Sequence, residues 1–170
     1  MDEIILSKVD FKGLNALILS LLENNYSSVS ALNRLNMIIK QASQVEPSLI
    51  SSDLITMNTV VEIIFIETGK SRIFRLVYPD NVSLQDINLS ILTPLGCALL
   101  GSKKEQIVSV KAPEGYREVM IKDILFQPEA FGDTSKLWIP KFINHNYFIM
   151  IKNHISQIYS RVKIASCDVI

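Results

Sequence analysis

Residues 91–101 read ILTPLGCALLG, and they lie between two charged, strand-like runs, SRIFRLV (71–77) and EQIVSVK (105–111). A polar turn would connect two strands. This segment instead places Thr93 and Pro94 after an apolar pair and follows them with LGCALL (95–100), which contains Gly96 and ends at Gly101. Proline lacks the N–H that continues a ladder, so it ends a strand and suits the first turn of a helix. Six residues this apolar are too greasy for an exposed loop. They predict one or two helical turns packed on a sheet.

Working outward, the flanks read as strands. TVVEIIFIE (59–67) and GKSRIFRLVYP (69–79) are β-branched and aromatic, and they meet at a Thr-Gly turn, which predicts a hairpin. EQIVSVK and YREVMIKDILF (116–126) flank Ala112-Pro113-Glu114-Gly115 and predict a second hairpin. LSIL (89–92) supplies a short strand between them. Two hairpins, one strand and a short helix make a small α+β domain over residues 48–131.

Upstream, Val9, Phe11, Leu14, Leu17, Ile18, Leu21 and Leu22 recur at helical intervals, as do Val29, Leu32, Leu35, Ile38, Ile39 and Ala42. The intervening ENNYSS (23–28) has no such period, and Ser28 or Ser30 is placed to cap the second helix. Residues 1–47 are therefore expected to form an antiparallel helical hairpin, a short coiled coil whose two stripes bury against each other. Downstream, Tyr147, Ile151, Ile155, Ile158 and Val162 predict a further helix in an extra tail, residues 132–170. Its apolar face needs cover from the chain's own core, from a second copy in a homodimer, or from a membrane surface.

Composition narrows the function. With 48% hydrophobic and 20% charged residues the chain has the makings of a folded core. Its 17 basic and 17 acidic side chains cancel, which gives no general attraction to nucleic acid. The balance is uneven along the chain. Residues 1–133 hold 16 acids and 12 bases, and residues 134–170 hold five bases and one acid, so the composition shifts near Gly132-Asp133. No apolar run is long enough to span a bilayer, and the acidic opening MDEIILSKVD is unlike a signal peptide, so a cytoplasmic protein is expected.

Catalytic motifs are missing. There is no Gly-rich phosphate loop, and His145 and His154 miss the spacing of a helical zinc pair. Cys97 and Cys167 make neither a disulfide framework nor a metal site, and Cys97 reads as a buried structural cysteine. The acids Glu62, Glu67, Glu118 and Asp123 read as the solvated side of strands. No enzyme activity, cofactor or metal is expected.

Taken together, ITMNTVVEI (55–63), LVYP (76–79), LSILTPLGCALLG (89–101) and ILFQPEA (124–130) resemble the bacterial regulator of nucleoside diphosphate kinase family. That family shares the C-terminal domain of the Gre transcript-cleavage factors, an antiparallel sheet with a short helix, a fold similar to the FKBP prolyl isomerases. ILSKVDFKGLNALI (5–18) resembles its usual opening, and the likeness runs over residues 4–131. The resemblance implies binding to the rim of the RNA polymerase secondary channel, with a helical coil entering the channel. It places the docking element on Thr93, Pro94, Leu95, Gly96 and Ala98, with Leu99 packed inward.

The hairpin tip, Glu23, Asn24, Asn25 and Tyr26, holds one acid, whereas Gre factors bring paired tip acids to a catalytic magnesium ion. Magnesium favours several hard carboxylate oxygens, so transcript-cleavage stimulation is not expected. Two other readings stand beside the first: a module regulating another enzyme such as nucleoside diphosphate kinase, and an FKBP-type prolyl isomerase. One local departure is noted. Relatives place Gly-Asp before the penultimate strand, and this chain has Lys104-Glu105, which predicts a turn of another type without a left-handed residue.

Overall fold

The computed structural model describes residues 4–24, 26, 28–79 and 87–132; the expected tail helix and Asn25 lie outside them. The chain begins with a short strand, β1 (Ile4–Ser7), and two helices, α1 (Lys8–Glu23) and α2 (Val29–Gln41). A second short strand follows, β2 (Ala42–Val45). Ser7 caps α1 by accepting the Asp10 N–H at 3.1 Å, and Ser28 caps α2 by accepting from Ala31. Strands β1 and β2 pair in parallel, Ile4 opposite Ala42 through Ser7 opposite Val45, so the helices form the crossover that a parallel pair requires. Neither strand was expected from the sequence.

A 3-10 turn, Pro47–Leu49, leads into β3 (Val60–Phe65) and β4 (Ser71–Val77). Then come β5 (Asn88–Ser90), α3 (Pro94–Leu99), β6 (Ile107–Ala112), β7 (Gly115–Phe126) and a second 3-10 turn, Glu129–Phe131. The five long-range strands form one sheet in the order β5-β4-β3-β7-β6. Both expected hairpins are present, β3–β4 and β6–β7, and β7 returns to pair antiparallel with β3. The sheet is not wholly antiparallel as expected: β5 lies parallel to β4 along Arg75–Val77. Two register shifts between β3 and β7, at Val60/Val61 and Glu62/Ile63, add the twist that curls the sheet. In β6, Val108 and Val110 are buried while Ile107, Ser109 and Lys111 are exposed, the alternation of a strand with one face on a core.

The helical stripes bury against more than each other. Leu14 and Ile18 of α1 and Leu35 and Ile38 of α2 share one apolar cluster with Ile55, Met57, Val61, Ile63, Leu76 and Ile121. One core therefore runs across residue 47. Some residues expected in the stripes are outside it; of these Leu22 and Val29 are exposed, as is Leu19, because the distal ends of the helices extend past the sheet.

The turn at Lys104-Glu105 corrects the sequence expectation. Glu105 adopts φ +67° and so occupies the left-handed region itself. Its N–H donates to the Ile121 carbonyl at 2.7 Å, which holds it there. A side chain costs about 1–2 kcal/mol in that conformation, less what glycine loses in extra unfolded-state freedom. Glu105→Gly is expected to stabilise the chain by about 0.5–1 kcal/mol, read as a higher urea midpoint at unchanged slope.

Candidate functional site

Residues 94–99 form the expected helical turns, and each residue type has a local reason. Thr93 is the N-cap of α3. Its Oγ1 accepts the Gly96 N–H at 3.0 Å and donates to the Ser90 carbonyl at 2.8 Å. Pro94 takes the first helical position, where its missing N–H leaves nothing unsatisfied. Gly96 lies against the backbone: a Cβ there would stand 2.3 Å from the Ser90 oxygen. Gly101, at φ +77°, ends the turn in the left-handed region, and its N–H donates to the Ile55 carbonyl at 2.8 Å.

Burial sorts the five residues of the expected docking element. Pro94 is exposed, Thr93, Leu95 and Ala98 are half-buried, and Gly96 is buried. Leu95 and Ala98 both pack on the core, and Leu99 is fully inside. The outward surface of the element is thus the Pro94 ring with the outer parts of Thr93 and Leu95. Cys97 is a buried thiol donating to the Ile91 carbonyl at 2.9 Å, and burial pushes its pKa up, which makes it an inert packing residue. Helix α2 fixes the approach to this surface, since Arg34 Nη2 donates to the Leu92 carbonyl at 3.1 Å.

At the far ends of α1 and α2, Glu23, Asn24 and Tyr26 are exposed. The Asn24 amide donates back to the Ser20 carbonyl at 2.8 Å and closes α1. Their neighbours Leu19, Leu22 and Val29 are exposed as well, so the described part of the tip is apolar with one carboxylate. Among the described residues no group of three His, Cys, Asp or Glu side chains is arranged to hold a metal ion. No described helix is long and apolar enough to cross a membrane. His145, His154 and Cys167 lie outside the described residues.

A second polar cluster escaped the sequence reading. Asp10 and Glu129 are buried, the first completely. Asp10 Oδ2 accepts the Met57 N–H at 3.2 Å, and Glu129 Oε2 accepts the Thr56 hydroxyl at 2.7 Å. Burial, and then the charge of Glu129, push Asp10 up to about 7. Burial raises Glu129, and burial followed by the two carboxylates raises the Tyr78 phenol. Two signals pointed to Asp10. It precedes Leu14 and Ile18 by one and two i+4 steps on the buried face, and Ser7-x-x-Asp10 has capping-box spacing.

Of the strand acids, Asp123 pairs with Lys104 at 2.8 Å, a half-exposed contact that contributes little, whereas the Glu62 side chain is largely covered and pairs with Lys122 at 2.9 Å.

With this geometry in hand, the chain can be set beside known proteins. The family model described as "Transcription elongation factor, GreA/GreB, C-term" matches residues 50–126, which run from the end of the first 3-10 turn to the end of β7. The "Regulator of nucleoside diphosphate kinase" of Escherichia coli (strain K12) is 29% identical over 109 residues, covering 64% of this chain and 80% of that protein. The "Transcription elongation factor GreA" of Thermotoga petrophila is 32% identical over 96 residues, covering 56% of this chain and 61% of its own length. Among solved structures, the "Prokaryotic transcription elongation factor GreA/GreB from Nitrosomonas europaea" superposes with a TM-score of 0.61 at 27% identity, over 72% of this chain and 99% of that one. Over residues 50–126, a little under half of its length, the chain is similar to the C-terminal domain of the GreA/GreB transcription elongation factors.

Proposed function

We propose that this chain is a non-catalytic regulator of transcription elongation that docks on the rim of the RNA polymerase secondary channel through α3 and does not stimulate transcript cleavage. The observation that carries the reading is an exposed Pro94 held at the first turn of a capped helix within a GreA/GreB C-terminal domain. A ring fixed by its own covalent geometry and by the Thr93 cap presents apolar surface with little conformational entropy left to lose on binding. The absence of cleavage stimulation rests on the tip, where Glu23 is the one carboxylate among the described residues beside exposed Leu19, Leu22 and Tyr26. One carboxylate beside an amide and apolar side chains is a poor magnesium chelator.

A pull-down with core RNA polymerase tests the docking. Pro94→Asp places a charge on the exposed ring position, and an acid in the first helical turn is compatible with the fold. The variant is expected to keep its circular dichroism spectrum and lose at least about tenfold in affinity, the worth of one desolvated apolar anchor. Equal binding by both proteins would remove α3 from the interface. In a backtracked elongation complex the wild-type chain is expected to leave the cleavage rate unchanged.

The likeness to the Escherichia coli regulator, over 80% of that protein, favours a second reading, in which the partner is nucleoside diphosphate kinase. The same pull-down separates the two: binding to the kinase with none to polymerase selects the second.

A further inference from the structure

We propose that the buried Asp10–Glu129 pair holds one proton in the folded chain, and that this proton fastens the start of α1 to the sheet. The two carboxyls come from opposite ends of the described chain, one from the first turn of α1 and one from the 3-10 turn after β7. They converge on consecutive residues. Asp10 Oδ2 takes the Met57 N–H and Glu129 Oε2 takes the Thr56 hydroxyl, so both carboxyls are held at the loop preceding β3.

The other oxygen of each, Asp10 Oδ1 and Glu129 Oε1, is shielded from solvent and has no hydrogen-bond partner, and the same holds for the Tyr78 hydroxyl. Two ionised carboxylates in that position would leave two buried charges uncompensated. Among the described residues, the groups acting on the pair are Ser7 at the N-cap, Met57 and Thr56 from the loop, and the Tyr78 phenol, and none of these is a cation. One bound proton removes one of the two charges and adds a donor to the cluster.

Capping chemistry adds to the case. In the usual Ser-x-x-acid box the carboxylate turns back to the N-cap N–H. Here Ser7 still accepts the Asp10 N–H, and Asp10 turns away to Met57. The carboxyl is thus spent on a long-range contact between α1 and the domain rather than on its own helix.

The sign of the pH dependence follows. A carboxyl raised from 3.8 to about 7 is protonated in the folded chain where the unfolded chain has already lost the proton. Folding then takes up a proton between those values, and the contribution, full below 3.8, is lost as pH rises toward about 7. Glu129 shifts in the same direction.

The test uses the full chain with selectively carbon-13-labelled Asp and Glu carboxyls, and follows thermal melting across the acid-to-neutral range. Asp10 is expected to titrate near neutrality while the chain stays folded. Asp10→Asn keeps an acceptor for Met57 and adds a permanent donor, so its melting temperature should exceed wild type above neutral pH and lose the wild-type decline. Amide exchange in the first turn of α1, corrected for its intrinsic pH dependence, should quicken roughly tenfold in wild type across neutrality and stay level in the variant. Parallel melting profiles for the two proteins, or ordinary carboxylate titration of both acids in the folded wild type, would overturn the proposal. If the variant does not fold, the wild-type titration decides alone.

Discussion

Gly96→Ala is expected to destabilise the chain by about 3 kcal/mol or more, although helix propensity alone would make the change favourable by about 1 kcal/mol. Space decides the sign. Gly96 sits inside α3 without a positive φ, so its backbone would suit alanine. The added Cβ, however, would stand 2.3 Å from the Ser90 carbonyl oxygen and 3.0 Å from Thr93 Oγ1. Ser90 cannot retreat cheaply. Its carbonyl accepts both the Thr93 N–H at 3.0 Å and the Thr93 hydroxyl at 2.8 Å, and β5 ends at that residue. Displacing it breaks the cap of α3 and the parallel pairing of Val77 with Ser90. Urea denaturation measures the effect. Gly69→Ala is the control, because Gly69 has φ +66° and nothing within 4 Å. It isolates the backbone cost of about 1 kcal/mol, so the Gly96 variant should fall well below it. A Gly96→Ala protein as stable as wild type would show that α3 and β5 move apart freely, and would loosen the argument that Pro94 is held rigidly.

What the chain disclosed in advance followed the range over which its physics operates. Alternation in IVSVK and the Pro-Glu pair between Ala112 and Gly115 specify the β6–β7 hairpin locally, and Thr93-Pro94 with Gly96 specifies α3. Those elements were readable because a cap, a ring and a missing Cβ act within four residues. IILS and ASQV were not, since four residues carry no period, and each becomes a strand only through pairing with the other across two helices. For β5 the strand itself was readable in LSIL, while its parallel partner, set by the fold, was not. Leu22 and Val29 continue the helical stripes in sequence, but the sheet beneath them has ended. The proposed docking element was half legible: the position of Pro94 could be read, while the burial of Gly96 required the fold. Asp10 and Glu129 meet only in three dimensions, and their two local clues, an i+4 step and a box spacing, each have a simpler meaning when seen alone.

Leu35→Ala asks whether the helices stand apart from the sheet or fold with it. Leu35 is fully buried in α2 and belongs to the cluster that holds Leu14 and Ile18 on one side and Ile55, Met57 and Ile63 on the other. Removing three buried carbons from such a site costs about 2–5 kcal/mol, the lost transfer energy plus the cavity left behind. For an independent two-helix rod that cost would fall on α1 and α2 alone, because a pair of helices about 20 Å long has little else to hold it. The β3 and β7 amides would keep their protection. With one core crossing residue 47, the loss is instead shared. Helical ellipticity and β3–β7 hydrogen-exchange protection should decline together, in one transition shifted to lower urea by the same free energy. This outcome bears directly on how the protein would engage a partner. A separate rod swings on its own linker and reaches a channel by finding an orientation, whereas helices that share the sheet's core present tip and α3 at one set distance. In the second case the entropy of orienting the two contacts has been lost already on folding, and binding at the first contact leaves the other in place to meet the partner.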